Sequence, residues 1–293
     1  MVMIINNIHE KDFNSIAREI NGIIKDGLDD SKKIIFLCGK DKSDKNSYRH
    51  KISLLLEKEK NYQLAYPEDL FEDLLEGQAG NSLLALEEQL AEAVDLIILI
   101  PESPGSFAEL GAFSMRKELA SKMLILRQGK YKSDKSFINH GPIRLVKTAK
   151  GHVQDIPSNF DVSSSIYSAP ITRQIRKMIP SGRKKRNIDN ILMYQNHILL
   201  LVYLFDDMTQ STLNKLLGII LNRRLKSQDY TASKAAIHSL IRSSLIEKNH
   251  ETLQIKDKGF QDINTRYYAI NEINALRIKI MNKQLGRQLK KSV

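Results

Sequence analysis

The sequence predicts a parallel-sheet α/β domain followed by a mostly helical, basic domain. In the first half, short apolar runs alternate with stretches of helical spacing. That is the pattern of strands joined by crossover helices in a parallel sheet covered on both faces. After Asn187 the apolar residues recur at helical spacing almost to the end. The charge changes with the pattern. Residues 1–150 carry 22 Lys and Arg against 23 Asp and Glu, a balance of −1, and residues 151–293 carry 23 against 11, a balance of +12.

The elements follow in order. KKIIFLC (32–38) reads as a first strand, HKISLLLEKEK (50–60) as a helix and YQLAY (62–66) as a second strand. NSLLALEEQLAEAV (81–94) has helical spacing and runs into DLIILIP (95–101), a third strand. FAELGAFSMRKELA (107–120) is helical and KMLILR (122–127) a fourth strand. Residues 151–187 read as a linker, with Pro157, Pro170 and Pro180, the run Ser163-Ser164-Ser165 and the basic patch SGRKKR (181–186). NILMYQNHILLLVYLF (190–205), QSTLNKLLGIILNRRL (210–225) and TASKAAIHSLIRSSLIEKN (231–249) read as helices, and LQIKDKGF (253–260) as a strand and turn. This order outlines a winged helix-turn-helix, with an amphipathic basic helix over 266–291. The expected division is 1–150 for the α/β domain, 151–187 for the linker and 188–293 for the helical domain.

A chain of 293 residues, 42% hydrophobic and 27% charged, suits two globular domains. Cys38 is the single cysteine, so an internal disulfide is excluded and a reducing compartment is expected. No apolar run approaches the ~20 residues of a membrane helix, and the first residues lack the apolar core of a signal peptide. The expectation is a cytosolic protein. The basic second half points to phosphate backbones or an acidic protein surface.

The chemistry is expected at the carboxyl ends of the strands, where open α/β sheets bind ligands. GKDKSDKNS (39–47) lacks the Gly-Lys-Ser/Thr ending of a P-loop. No G-x-G-x-x-G follows the first strand, which argues against a dehydrogenase. DLIILIPESPGSFAELGAF (95–113) is more informative. A buried strand enters a Pro-Glu-Ser-Pro-Gly-Ser turn and then a helix, whose N-terminus favours anions. Glu109 sits early in that helix. Ser106 and Glu109 also fit the spacing of a capping box, in which both side chains would only bond backbone. The shaped loop before Glu109, and the small residues Gly111 and Ala112 beside it, favour a chemical role. No residues have metal-ligand spacing.

IFLCG (35–39), SYRH (47–50), YPEDL (66–70), VDLIILIPESPGSFAELGAF (94–113) and SFINHGPIRL (136–145) resemble the nucleoside deoxyribosyltransferase-like fold. The variant that they resemble is the effector proteins of bacterial retrons, which join such a domain to a winged helix. The resemblance spans nearly the whole chain and is looser in the second half. It implies that Glu109, in P-G-S-x-x-E-L-G, is the catalytic carboxylate of an N-glycosidase, that NAD is a substrate rather than a cofactor, and that the protein is an antiviral toxin. It also implies assembly with a reverse transcriptase and its branched RNA–DNA, in a homo-oligomer or larger assembly away from membranes. The chemistry fits one carboxylate: nicotinamide leaves NAD neutral from a cationic ring and needs no general acid.

Gly39, Arg49, Asp69, Ser103, Gly105 and Ser106 are the further candidates for substrate contacts. Asn139 joins them because it matches a position that completes the pocket in the family, sometimes from a neighbouring subunit. Arg183, Lys184, Lys185, Arg186, Arg223, Arg224, Lys234 and Arg242 are the candidates for a nucleic-acid or partner surface. Two readings compete: a winged-helix transcription regulator with a nucleotide-sensing domain, and a salvage deoxyribosyltransferase. The latter leaves the basic half unexplained.

Overall fold

The computed structural model describes residues 4–5, 8–27, 33–59, 61–66, 91, 93–179 and 190–291. The chain forms two compact units, and they do not follow the expected boundaries. One comprises 31–71 and 80–184; the other comprises 1–30, 72–79 and 185–293.

The N-terminal elements are β1 (Ile4–Ile5), β2 (Ile8–His9), paired antiparallel, and α1 (Glu10–Gly27). The α/β unit then begins with β3 (Lys33–Cys38), α2 (Tyr48–Leu56) and β4 (Tyr62–Ala65). It continues through β5 (Leu96–Leu99), α3 (Pro104–Ser114), α4 (Lys117–Ser121) and β6 (Met123–Gln128). It closes with α5 (Phe137–His140), α6 (Pro142–Thr148), β7 (His152–Ile156) and α7 (Ser165–Met178). The five strands are parallel in the order β4-β3-β5-β6-β7. Central strands β3, β5 and β6 are buried along almost their whole length, as strands covered on both faces require. The predicted helix over 81–94 falls almost entirely outside the described residues.

Within the α/β unit two features depart from the expectation. The region expected to be a linker supplies β7 and α7, so most of it belongs to the α/β unit. As an edge strand, β7 is only partly buried and lacks a continuous apolar run, so in the sequence the prolines and serines around it stand out more than the strand does. The helix expected over 107–120 is two helices, broken between Ser114 and Lys117.

The other unit contains α8 (Tyr194–Leu204), β8 (Met208–Thr209), α9 (Gln210–Ile220), α10 (Ser227–Arg242), β9 (Ile246–Asn249), β10 (Thr252–Ile255), α11 (Asp257–Arg266) and α12 (Ile270–Lys291). Its three strands form an antiparallel sheet in the order β8-β10-β9. The helix expected over 231–249 is thus a helix followed by the first strand of a hairpin. Helix α1 completes this unit. Phe13, Ile16, Ala17, Ile20 and Ile24 lie in one buried cluster with residues of α8, α9, α10 and α12. Asn21 donates to Ile220 O (2.8 Å), and Glu19 and Asp12 pair with Lys279 and Lys283.

Candidate active site

In the strand order of the α/β sheet, β3 lies between β4 and β5. The chain therefore leaves β3 toward one side of the sheet and later returns on the other. The crevice at the carboxyl ends of β3 and β5 is the place where such sheets bind ligands. Gly39 follows β3 there, and residues 100–103 follow β5.

Glu102 ties the two sides together. Its carboxylate accepts from Tyr48 N (Oε2, 2.9 Å), Arg49 N (Oε1, 2.9 Å) and Lys40 N (Oε1, 3.3 Å). Tyr48 and Arg49 open α2, whose N-cap is Ser47. A side-chain carboxylate thus occupies the positive end of that helix, where an external anion would otherwise be favoured. Ser103 adds a second tie by donating its hydroxyl to Gly39 O (3.0 Å). At Gly39 a β-carbon would stand 2.9 Å from Arg49 Cβ and 3.0 Å from Glu102 Oε1. Only glycine lets the strand end approach this closely.

Two serines, not Glu109, cap α3. Ser103 is the N-cap and accepts from Ser106 N; the Ser106 hydroxyl accepts from Ser103 N (2.9 Å) and Glu102 N (3.0 Å). The capping box is therefore Ser103–Ser106, not the Ser106–Glu109 pairing that the spacing also allowed. Glu109 lies beyond the cap, at the sixth residue of α3. It is half-buried, with its Oε2 buried.

The other candidates fare unevenly. Ser106 is buried and its hydroxyl is bonded within the turn, so it shapes the site rather than meeting a ligand. Gly105 is exposed with open space around it. Arg49 is 2% exposed. Its guanidinium donates to Lys40 O (2.8 Å) and stacks on Tyr66 at 5.2 Å, so it braces the crevice rather than waiting at the surface for phosphate. Lys42 lies over the same ring at 5.7 Å. Asp69 falls outside the described residues. Asn139 sits beyond the end of β6, the strand next to β5. Its amide nitrogen donates to Tyr131 O and Asp134 O, and its oxygen accepts from Arg127 Nη1 (2.8 Å). In this chain it fastens the loop after β6.

Two placements escape a reading of the sequence. Glu102 stands next to the serines that draw attention, although a carboxylate directly after a buried strand signals a ligand-edge group. Arg127 and Asp155 carry no signal of their own. They form an ion pair in which Nε and Nη2 both meet Oδ1 (2.8 and 2.7 Å) across β6 and β7, and only the pairing register brings them together.

In the other unit, α10 exposes Tyr230, Lys234, His238 and Arg242 along one face. Arg224 is exposed as well. Arg223 is not available to a partner in the way expected: its guanidinium clasps Asp229 (2.6 and 2.8 Å) at the start of α10. Asp229 also accepts from the Tyr194 hydroxyl (2.6 Å) and Lys226 N (2.6 Å). Burial pushes the Asp229 carboxyl up, but these donors and the Arg223 charge outweigh it and hold the pKa at about 2. Residues 183–186 fall outside the described residues. Among the described residues no helix is long and apolar enough to cross a membrane, and no group of acidic, His and Cys side chains could hold a metal ion.

A model of the STM3845 retron effector protein family matches residues 45–248. The chain is 37% identical over 268 residues to an Escherichia coli protein of retron Ec86, covering 86% of this chain and 85% of that one; it is named as a candidate ribosyltransferase/DNA-binding protein. A similarly named Escherichia coli protein of retron Ec73 is 36% identical over 120 residues, 39% of this chain and 38% of its own.

Proposed function

Since the chain belongs to the STM3845 retron effector family, we propose that its α/β unit is an N-glycosidase that hydrolyses the nicotinamide–ribose bond of NAD, with Glu109 as its carboxylate. One observation carries this reading: α3 is capped by Ser103 and Ser106, so Glu109, half-buried in the helix that follows β5, is not part of the capping box. The names of the relatives support glycosyl chemistry in general.

In the step proposed, the bond between the anomeric carbon and the ring nitrogen breaks and its electron pair leaves with neutral nicotinamide. The oxocarbenium-like sugar is stabilised or captured by the Glu109 carboxylate. Water then delivers hydroxide to the anomeric carbon and its remaining proton goes to solvent. ADP-ribose and nicotinamide are the products. Glu102, Ser103 and Gly39 hold the crevice in shape. No general acid is required, because the leaving group departs uncharged.

We read the other unit as a winged helix. Helix, short strand, two helices and a hairpin, with the short strand beside the second hairpin strand, is the order that such a domain has. Its partner in this proposal is the retron reverse transcriptase with its branched RNA–DNA, met by the exposed face of α10 and by Arg224, and this partner controls the α/β unit.

Chromatography of NAD incubated with the purified protein tests the chemistry. Nicotinamide and ADP-ribose in equal amounts are expected. Release of adenine without nicotinamide, or consumption only of deoxynucleosides, overturns the assignment.

A further inference from the structure

The α/β unit carries an exposed surface that the chemistry at Glu109 does not use. Between β6 and the end of α6 the chain exposes Lys130, Lys132, Lys135, Arg144 and Lys147, with Asp134 the one acid in that stretch; Lys132 also reaches Asp155 Oδ2 on β7 at 3.6 Å. Aromatic rings are interleaved with these cations. Phe137 is 82% exposed and Tyr131 43%, with Lys130 lying over the Tyr131 ring at 4.7 Å.

The segment is not loosely hung. The Asn139 amide holds Tyr131 O and Asp134 O (2.8 and 2.7 Å), and its oxygen is held by Arg127, which is itself clasped by Asp155. Ser136 caps α5 by accepting from Asn139 N. A buried arginine and a saturated amide thus fix the backbone that presents the rings and cations. Such a surface loses little conformational freedom when something binds.

We propose that residues 130–147 form a contact surface for single-stranded nucleic acid on the α/β unit itself. Cations at this density attract phosphates, and exposed rings add stacking that only unpaired bases can accept. Duplex keeps its bases paired and buried, so it would use the cations alone. An acidic protein would likewise meet the cations and leave Phe137 with no particular role. The loop part of the surface, 130–137, adjoins the carboxyl ends of β6 and β7, the same edge of the sheet that bears Gly39 and Glu102, while α6 carries Arg144 and Lys147 from that edge back towards the start of β7. This surface shares with the α10 face only the class of polymer it meets, and it stands or falls independently of NAD cleavage.

The test is binding of a fluorescent 15-nucleotide oligo(dT) to the full chain, followed by anisotropy across a salt series. Lys130→Glu, Lys132→Glu and Lys135→Glu combined should weaken binding ~10-fold or more and flatten the logarithmic salt slope by about 2, at ~0.7 for each phosphate no longer neutralised. Tyr131→Ala with Phe137→Ala should weaken binding roughly 5-fold or more at unchanged slope, because stacking releases no counterions. Lys234→Glu with Arg242→Glu, made in parallel, reports the other unit. If that pair removes binding while neither change at 130–137 alters it, the proposal fails and the partner reading for α10 survives. If charge reversal weakens oligo(dT) and polyglutamate alike and the ring substitutions do nothing, the surface is for an acidic protein and the proposal is overturned.

Discussion

Glu109 and Glu102 are seven residues apart and have opposite assignments, which single substitutions separate. Glu109→Gln should lower NAD turnover by on the order of 10³-fold or more, since it removes charge from beside the developing cation, while the melting temperature stays near that of the parent. Turnover within a few-fold of the parent would end the catalytic assignment. Glu102→Gln replaces one carboxylate oxygen by an amide facing backbone N–H groups that need an acceptor. It should cost about 1–3 kcal/mol of stability and raise KM more than it lowers kcat. Asp229 gives a prediction in pH. Its folded pKa of about 2 lies below the ~3.9 of an unfolded aspartate, so its contribution is present above about pH 4 and is lost as pH falls towards 2. Melting of Asp229→Asn should therefore depend less on pH across that window than melting of the parent. Equal slopes would deny Asp229 that role. Of these residues, only the place of Glu109, in a helix after a buried strand and turn, is legible in the sequence. Glu102 and the Arg223–Asp229 clasp are not, because each depends on partners that only the folded chain brings near.

Among the elements, α3 and the turn before it carry most of the site. Strand, turn and helix are all legible in the residues, yet the cap could be placed on either of two serines three residues apart. Geometry chooses Ser103, because its hydroxyl also reaches Gly39 O. Loss of a cap costs ~1 kcal/mol. Ser103→Ala should cost at least that, and should also loosen the tie between β3 and β5. Gly39→Ala makes a sharper forecast. Its β-carbon would press on Arg49 Cβ and Glu102 Oε1, so the carboxylate bridge must shift. NAD cleavage should drop by roughly 10-fold or more while the sheet stays intact, since a displacement near 1 Å at a reacting centre can cost 10²-fold. Circular dichroism beside an activity assay checks both halves; unchanged activity would mean the bridge does not shape the site. The edge strand β7 shows why boundaries are harder to read than centres. Half-buried residues such as those of HVQDI (152–156) carry little periodic signal, whereas IIFL and LIIL, buried on both faces, announce themselves.

For the whole molecule the consequential feature is that the α/β unit is inserted in the chain of the helical one. Residues 1–30 and 185–293 share one unit, with the α/β unit's residues between them in sequence. Nothing in the residues signals this, because an amphipathic helix at 10–27 looks the same whichever core it covers. A division at residue 150 makes 188–293 self-sufficient, and the packing argues otherwise. Phe13, Ile16, Ile20 and Ile24 are all at most 5% exposed in the core built by α8, α9, α10 and α12. Burial of side chains of this size is worth ~1.5–3 kcal/mol each. Removing four of them amounts to roughly 6–12 kcal/mol, comparable with the whole stability of a typical domain, about 5–15 kcal/mol. The expected outcome is that residues 188–293 expressed alone show no cooperative melting. Residues 1–30 joined by a flexible linker to 185–293 should restore it, because that fusion returns α1 with its bonds to Ile220, Lys279 and Lys283. A cooperative transition in 188–293 alone, at a temperature close to that of the fusion, would show that α1 is dispensable. If the forecast holds, nucleic-acid binding by the helical unit must be measured on the fusion or the full chain, since an unfolded basic fragment would bind phosphate polymers without any specific surface.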